Sequence, residues 1–113
     1  MEIIAKAKLE KLKRKNRGNT ALGTAIDTLI EDLEQTSCLT FEQLKQIRPD
    51  ADLVHNDGFC FFDIHVHRTM ILIEFEDTGE ATIVWCGSHD EYELTFKNNK
   101  NTIRKWLEKQ GWI

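Results

Sequence analysis

Between Phe59 and Glu93 three apolar runs follow one another with only a few residues between them, and that spacing restricts the fold more than anything else in the chain. The runs are Phe59-Cys60-Phe61-Phe62-Asp63-Ile64, Thr69-Met70-Ile71-Leu72-Ile73-Glu74-Phe75 and Ala81-Thr82-Ile83-Val84-Trp85-Cys86. Each is short and rich in Ile, Val, Phe or Trp, which fits strands better than helices. Glu76-Asp77-Thr78-Gly79-Glu80 reads as a hairpin loop, with glycine supplying the tight geometry. The expectation is an antiparallel meander. Its last strand empties into Gly87-Ser88-His89-Asp90-Glu91-Tyr92-Glu93, so an imidazole, several carboxylates and a phenol are expected together on an exposed edge.

The segments before this core read mostly as helices. Ile3 and Ile4 make a short edge strand within Met1–Ala5. Residues 6–17 form a basic helix with few apolar anchors, closed by Gly18 at the C′ position. Asn19 or Thr20 caps a second helix, in which Leu22, Ala25, Ile26, Leu29, Ile30 and Leu33 recur at three- and four-residue spacing, the stripe of a helix lying on a sheet. Thr40-Phe41-Glu42-Gln43 has the form of a capping box opening a short helix with Leu44 and Ile47 inward. Pro49, the only proline, stops it. Asp52–His55 is a weak strand, and Asn56-Asp57-Gly58 turns it into the meander. Asn99 or Asn101 starts a last helix through Ile103, Trp106 and Leu107, which Gly111 ends. Helices, then consecutive strands, then a helix predict a single α+β domain over residues 1–113. Its N-terminal helices pack on one face of a three- to five-stranded, mostly antiparallel sheet, leaving the other face free.

Charge is distributed unevenly. Residues 1–17 carry seven Lys/Arg against Glu2 and Glu10, and residues 97–113 carry five against Glu108. Everything between carries Lys45, Arg48 and Arg68 against sixteen carboxylates, within a net charge of −4. The basic ends can meet on one face and attract nucleic acid, whereas the acidic total argues against tight non-specific binding. Cys38, Cys60 and Cys86 are odd in number and follow no pairing motif, as expected for reduced thiols in a cytoplasmic protein. No segment is long enough to span a bilayer and no signal-peptide pattern opens the chain, so a membrane partner is not expected.

Three stretches together resemble the RelE/HigB superfamily of bacterial toxins, in its HigB branch. The segment from Phe41 through Leu44-Lys45 to Pro49-Asp50-Ala51-Asp52 is similar to the family's approach to its first hairpin. Phe62-Asp63-Ile64 before a polar trio is similar to its Phe-Asn-Ile/Val hairpin. Gly87-Ser88-His89-Asp90-Glu91-Tyr92 is similar to its Thr-His-x-Glu-Tyr signature. The likeness covers roughly residues 41–93. It implies a ribosome-dependent endoribonuclease that cleaves translated mRNA and uses no cofactor or metal. It also implies neutralisation by a HigA-type helix-turn-helix antitoxin, with operator DNA reached only through that antitoxin. The chain departs from the pattern twice. His65-Val66-His67 replaces a Gly-Gly-Asn-like turn, and Met70 stands where the family has a strand arginine that stabilises transition-state charge. The alternative is a catalytically weakened RelE-fold protein that acts only through its antitoxin complex or operon repression.

RNA cleavage without a metal needs a base for the 2′-OH, cations or donors for the phosphate, and an acid for the leaving 5′ oxygen. His89 is the candidate acid or base because imidazole titrates near neutrality. Tyr92 can stack on a splayed base or donate a proton. Arg68, two residues before Met70 and on the same strand face, is the candidate phosphate clamp. Lys97, Lys100, Arg104 and Lys45 are candidates for contact with RNA and ribosome. His65, His67, Asp63 and His89 sketch a zinc site only if strand alternation continues through residues 65–67. Trp106 and Leu107 either face an antitoxin or pack on the sheet.

Overall fold

A computed structural model describes residues 1–113. Its elements are β1 (Glu2–Ile4), α1 (Ala7–Lys15), α2 (Thr20–Gln35), α3 (Phe41–Ile47), β2 (Asp52–His55), β3 (Phe59–Asp63), β4 (His67–Glu74), β5 (Glu80–Ser88), α4 (His89–Phe96) and α5 (Lys100–Lys109). The five strands form one sheet in the order β1-β5-β4-β3-β2. β2 to β5 are the antiparallel meander that the three crowded runs require, and β1 joins it parallel to the first half of β5. The fold is α+β, as predicted.

Alternation along the strands divides the core in two. Cys60, Phe62, Ile71, Ile73, Ala81 and Ile83 face α1, α2 and α3, where Leu9, the Leu22–Leu33 stripe and Leu44 cover them. Phe59, Phe61, Met70 and Val84 face the opposite way, against Tyr92, Phe96, Ile103 and Leu107 of α4 and α5. The second face is therefore covered, not free. Helix α4 was not foreseen, and it carries two of the side chains that close that face.

The local rules explain most boundaries. Asn19 caps α2 by accepting from the Leu22 N–H at 3.1 Å. The Met1 ammonium donates to the carbonyls of Leu33, Glu34 and Thr36, placing a positive charge at the negative end of α2. Three smaller expectations need correction. Helix α1 ends at Asn16, and Gly18 does not take up the left-handed conformation a C′ glycine supplies. Thr40 caps α3, but the Gln43 side chain accepts from Leu39 N–H rather than returning to Thr40, so the box is only half made. Ile47 is exposed because the short helix turns only Leu44 inward.

Gly58 is the tightest point of the meander. Its φ of 111° lies in a region L-residues avoid, and a Cβ there would stand 2.4 Å from the Ile73 carbonyl oxygen. The β3–β4 turn reaches positive φ without glycine, at His65 (46°) and Val66 (56°).

Candidate functional site

The ends of β4 and β5 meet where the chain turns into α4. His67 pairs with Ser88 and Arg68 with Gly87, and the His89 N–H donates to the Val66 carbonyl at 3.0 Å. Ser88 caps α4 with a complete capping box. Its hydroxyl accepts from the Glu91 N–H, and the Glu91 carboxylate accepts from the Ser88 N–H at 3.0 Å. Ser88, through its backbone N–H foremost and its side chain next, holds the Glu91 carboxyl below its usual range. His89 thus begins the helix from a fixed backbone, with its side chain 57% exposed and Nε2 3.5 Å from Glu93 Oε1.

The His89 ring stacks on Tyr92, centroids 5.9 Å apart and planes 22° from parallel. Tyr92 is 1% exposed and packs edge-on against Phe61. Its hydroxyl donates to Asn98 Oδ1 at 3.0 Å. Burial pushes the phenol above its usual pKa, against the opposing pull of Arg68. A side chain sealed this way cannot stack on an incoming base, so that expected role for Tyr92 is withdrawn. Its ring supports His89 and Arg68 instead.

Arg68 does share a face with Met70, as alternation requires. Its guanidinium lies 4.6 Å from the Tyr92 ring centroid and 5.0 Å from that of Phe61. Arg68 Nε also meets Asp63 Oδ1 at 3.1 Å, and its NH2 lies 3.9 Å from Asp52 Oδ2. The cation is in place, and two carboxylates occupy its polar edge. Met70 is 0% exposed among the aromatic side chains beneath α4.

A second set of bonds steadies Asp63. Arg48, at the end of α3, donates to Asp50 at 2.8 Å and to the Asp63 carbonyl at 3.1 Å. Asp50 accepts in turn from the Asp63 N–H at 2.9 Å. The Arg48-Pro49-Asp50 segment, read in the sequence as a helix stop and as part of the HigB likeness, therefore fixes the strand end that carries the Arg68 partner.

The remaining predicted cations are not drawn into this cluster. Lys97 sits at the C-cap of α4, the opposite end from His89, in a left-handed conformation. Lys100 and Arg104 line a depression with Leu53–Asn56 on the outer strand, and Lys45 lines another with Phe41 and Ala51. Arg104 is paired with Glu108. Residues 65 and 66 form a turn, so strand alternation does not gather His65 and His67 on one face with Asp63, and no three His, Cys, Asp or Glu side chains are arranged to hold a metal ion. Leu107 is buried, and Trp106 is half-buried with its ring edge-on against Phe96, so both pack on the sheet side. Burial raises the Cys60 thiol to about 12 and the Cys86 thiol above its usual value, leaving neither poised as a nucleophile.

The family model for HigB_toxin, the RelE-like toxic component of a toxin–antitoxin system, matches residues 23–95. The chain belongs to the HigB toxin family. No curated protein matches it. The matched span runs from within α2 through nearly all of α4 and so contains the whole His89–Tyr92–Arg68 cluster, while β1, α1 and α5 lie outside it. Membership in a toxin–antitoxin family implies an antitoxin partner, and such toxins generally act as endoribonucleases. No helix is long and apolar enough to cross a membrane.

Proposed function

We propose that this HigB-family toxin is a cytoplasmic, ribosome-dependent endoribonuclease of translated mRNA, neutralised by a HigA-type antitoxin that alone contacts operator DNA. The observation that carries the reading is the exposed His89 imidazole stacked on Tyr92, whose ring also carries Arg68. In the reaction the substrate 2′ oxygen bonds to the adjacent phosphorus while the bond to the 5′ oxygen breaks. His89 transfers a proton on this path, and Arg68 holds the charge that grows on the phosphate. Products then end in a 2′,3′-cyclic phosphate and a free 5′-OH. The ribosome orients the strand, which reduces what the toxin itself must supply.

Arg68 is the point at which a second reading enters. Its pairing with Asp63 and Asp52, together with a buried Met70, favours a weakened protein that acts through its antitoxin complex alone. The exposure of the two partners supports the first reading. Both carboxylates are more than half exposed, although the Arg68 side chain between them is only 15% exposed, so solvent partly screens the pairs and a phosphate can compete for the same edge.

Primer extension on an mRNA engaged by ribosomes tests this with wild type, His89→Ala and Arg68→Ala side by side. Wild type is expected to cut, and His89→Ala to lose about 10²-fold or more of that activity. Arg68→Ala is expected to fall as well. Absence of cuts from folded, ribosome-associated wild type would establish the binding-only reading.

A further inference from the structure

Helix α1 carries, on one side, the free positive charge that the His89 cluster lacks. Lys8, Lys11 and Lys15 fall at i, i+3 and i+7, which aligns them along the helix. With Leu12, Val84, Trp85 and Cys86 they line a groove of about 290 Å³. The groove exists because β1 pairs with β5 only as far as Thr82, so α1 rather than a strand runs beside the remaining edge. Lys8 Nζ donates to the Val84 carbonyl at 3.2 Å, and the Cys86 thiol donates to the Lys8 carbonyl at 3.4 Å, which fixes the two walls together. Lys11 and Lys15 have no carboxylate at ion-pair distance, whereas Lys6, Lys13 and Arg104 each have one and Arg48 and Arg68 each have two.

The groove also runs toward the cluster. Val84 lies at its Lys8 end, and β5 continues through Cys86 to Ser88, the residue before His89.

We propose that this groove is a track for single-stranded RNA, its lysines holding successive backbone phosphates of a strand whose continuation reaches His89. The inference rests on the endoribonuclease reading for its direction, but not for the binding itself. Seven residues of helix span about 10 Å, room for roughly three phosphates of a stacked strand. Trp85 borders the groove while its ring packs edge-on against Phe61 and Phe96, so the contacts expected with RNA are to phosphates rather than to bases. An acidic peptide strand is disfavoured because it would need the open β5 edge, where Lys8 already occupies the Val84 carbonyl. The lysines precede the matched residues 23–95, whereas Val84, Trp85 and Cys86 lie within them.

Fluorescence anisotropy without ribosomes tests it, using a 2′-O-methyl RNA of about 12 nucleotides, which cannot be cleaved. Lys11→Glu/Lys15→Glu is expected to weaken binding at least about tenfold and to reduce the salt slope by roughly 1.4, that is, two lost phosphate contacts. Lys105→Glu/Lys109→Glu on α5 should bind within about twofold of wild type, which separates a loss at the groove from a general loss of positive charge. Thermal melts establish that each variant is folded. Three results would overturn the proposal: unchanged binding by Lys11→Glu/Lys15→Glu, an equal loss in the α5 variant, or displacement of the RNA by an oligoglutamate of equal charge at the same concentration, which would identify an acidic-peptide surface.

Discussion

At the scale of single residues, the site's behaviour depends on which charges are already satisfied. Asp63 holds Arg68 at 3.1 Å while its own backbone is held by Asp50 and Arg48. Asp63→Asn removes the nearer carboxylate and leaves Asp52 at 3.9 Å, so ribosome-dependent cleavage is expected to rise, by up to about fivefold for one partly screened pair. A fall would mean that Asp63 aligns Arg68 rather than competing with substrate. Met70 shows the opposite limit. Restoring arginine there does not restore a clamp, because the side chain is fully enclosed by apolar groups. Met70→Arg is expected to cost more than about 3 kcal/mol as a buried unpaired charge, read as a collapse of the thermal transition. The exposed position of His89 at the end of the last strand was legible in the sequence. The engagement of Arg68 and Tyr92 was not, because Asp52, Asp63 and Asn98 are brought to them only by tertiary folding.

At the scale of elements, the meander was readable because three short apolar runs separated by brief polar links leave few other arrangements. Helix α4 was missed even though Ser88-x-x-Glu91 has the same capping signature that was recognised at Thr40. That signature overlaps the His-x-Glu-Tyr run, and Tyr92 and Phe96, one helical turn apart, form the helix's inward stripe. Of the two signatures the complete box is at Ser88, while Gln43 at α3 bonds elsewhere. The β3–β4 turn offers a direct test of stored strain. His65 and Val66 both have positive φ, the requirement of a type I′ hairpin, where Asn-Gly is favoured and a β-branched residue is poorly suited. His65→Asn/Val66→Gly is expected to stabilise the protein by about 1–2 kcal/mol in urea unfolding, without disturbing the Val66 carbonyl that receives the His89 N–H. A destabilised double variant would show that the native side chains contribute contacts larger than the strain.

At the scale of the whole molecule, the uneven charge seen in the sequence becomes a spatial division. The acidic middle of the chain surrounds the His89 cluster with Asp52, Asp63, Glu91 and Glu93, and the cations that could offset it come from α1 and α5. Lys8 lies 5.7 Å from the Trp112 ring, so the two basic ends do approach one another. That junction could be anticipated from composition, but the groove beside β5 could not, since it depends on where β1 stops pairing. The central claim is that His89 transfers a proton as the 2′ oxygen attacks the phosphate. It is tested most directly by single-turnover cleavage of two ribosome-bound mRNAs that differ only in a 2′-deoxy nucleotide at the mapped cut site. The account predicts cleavage of the all-ribose message to a 2′,3′-cyclic phosphate end, its loss with His89→Ala, and no cut at the deoxy position by either protein. Cleavage at the deoxy position, or equal cleavage of the ribose message by His89→Ala, would contradict it.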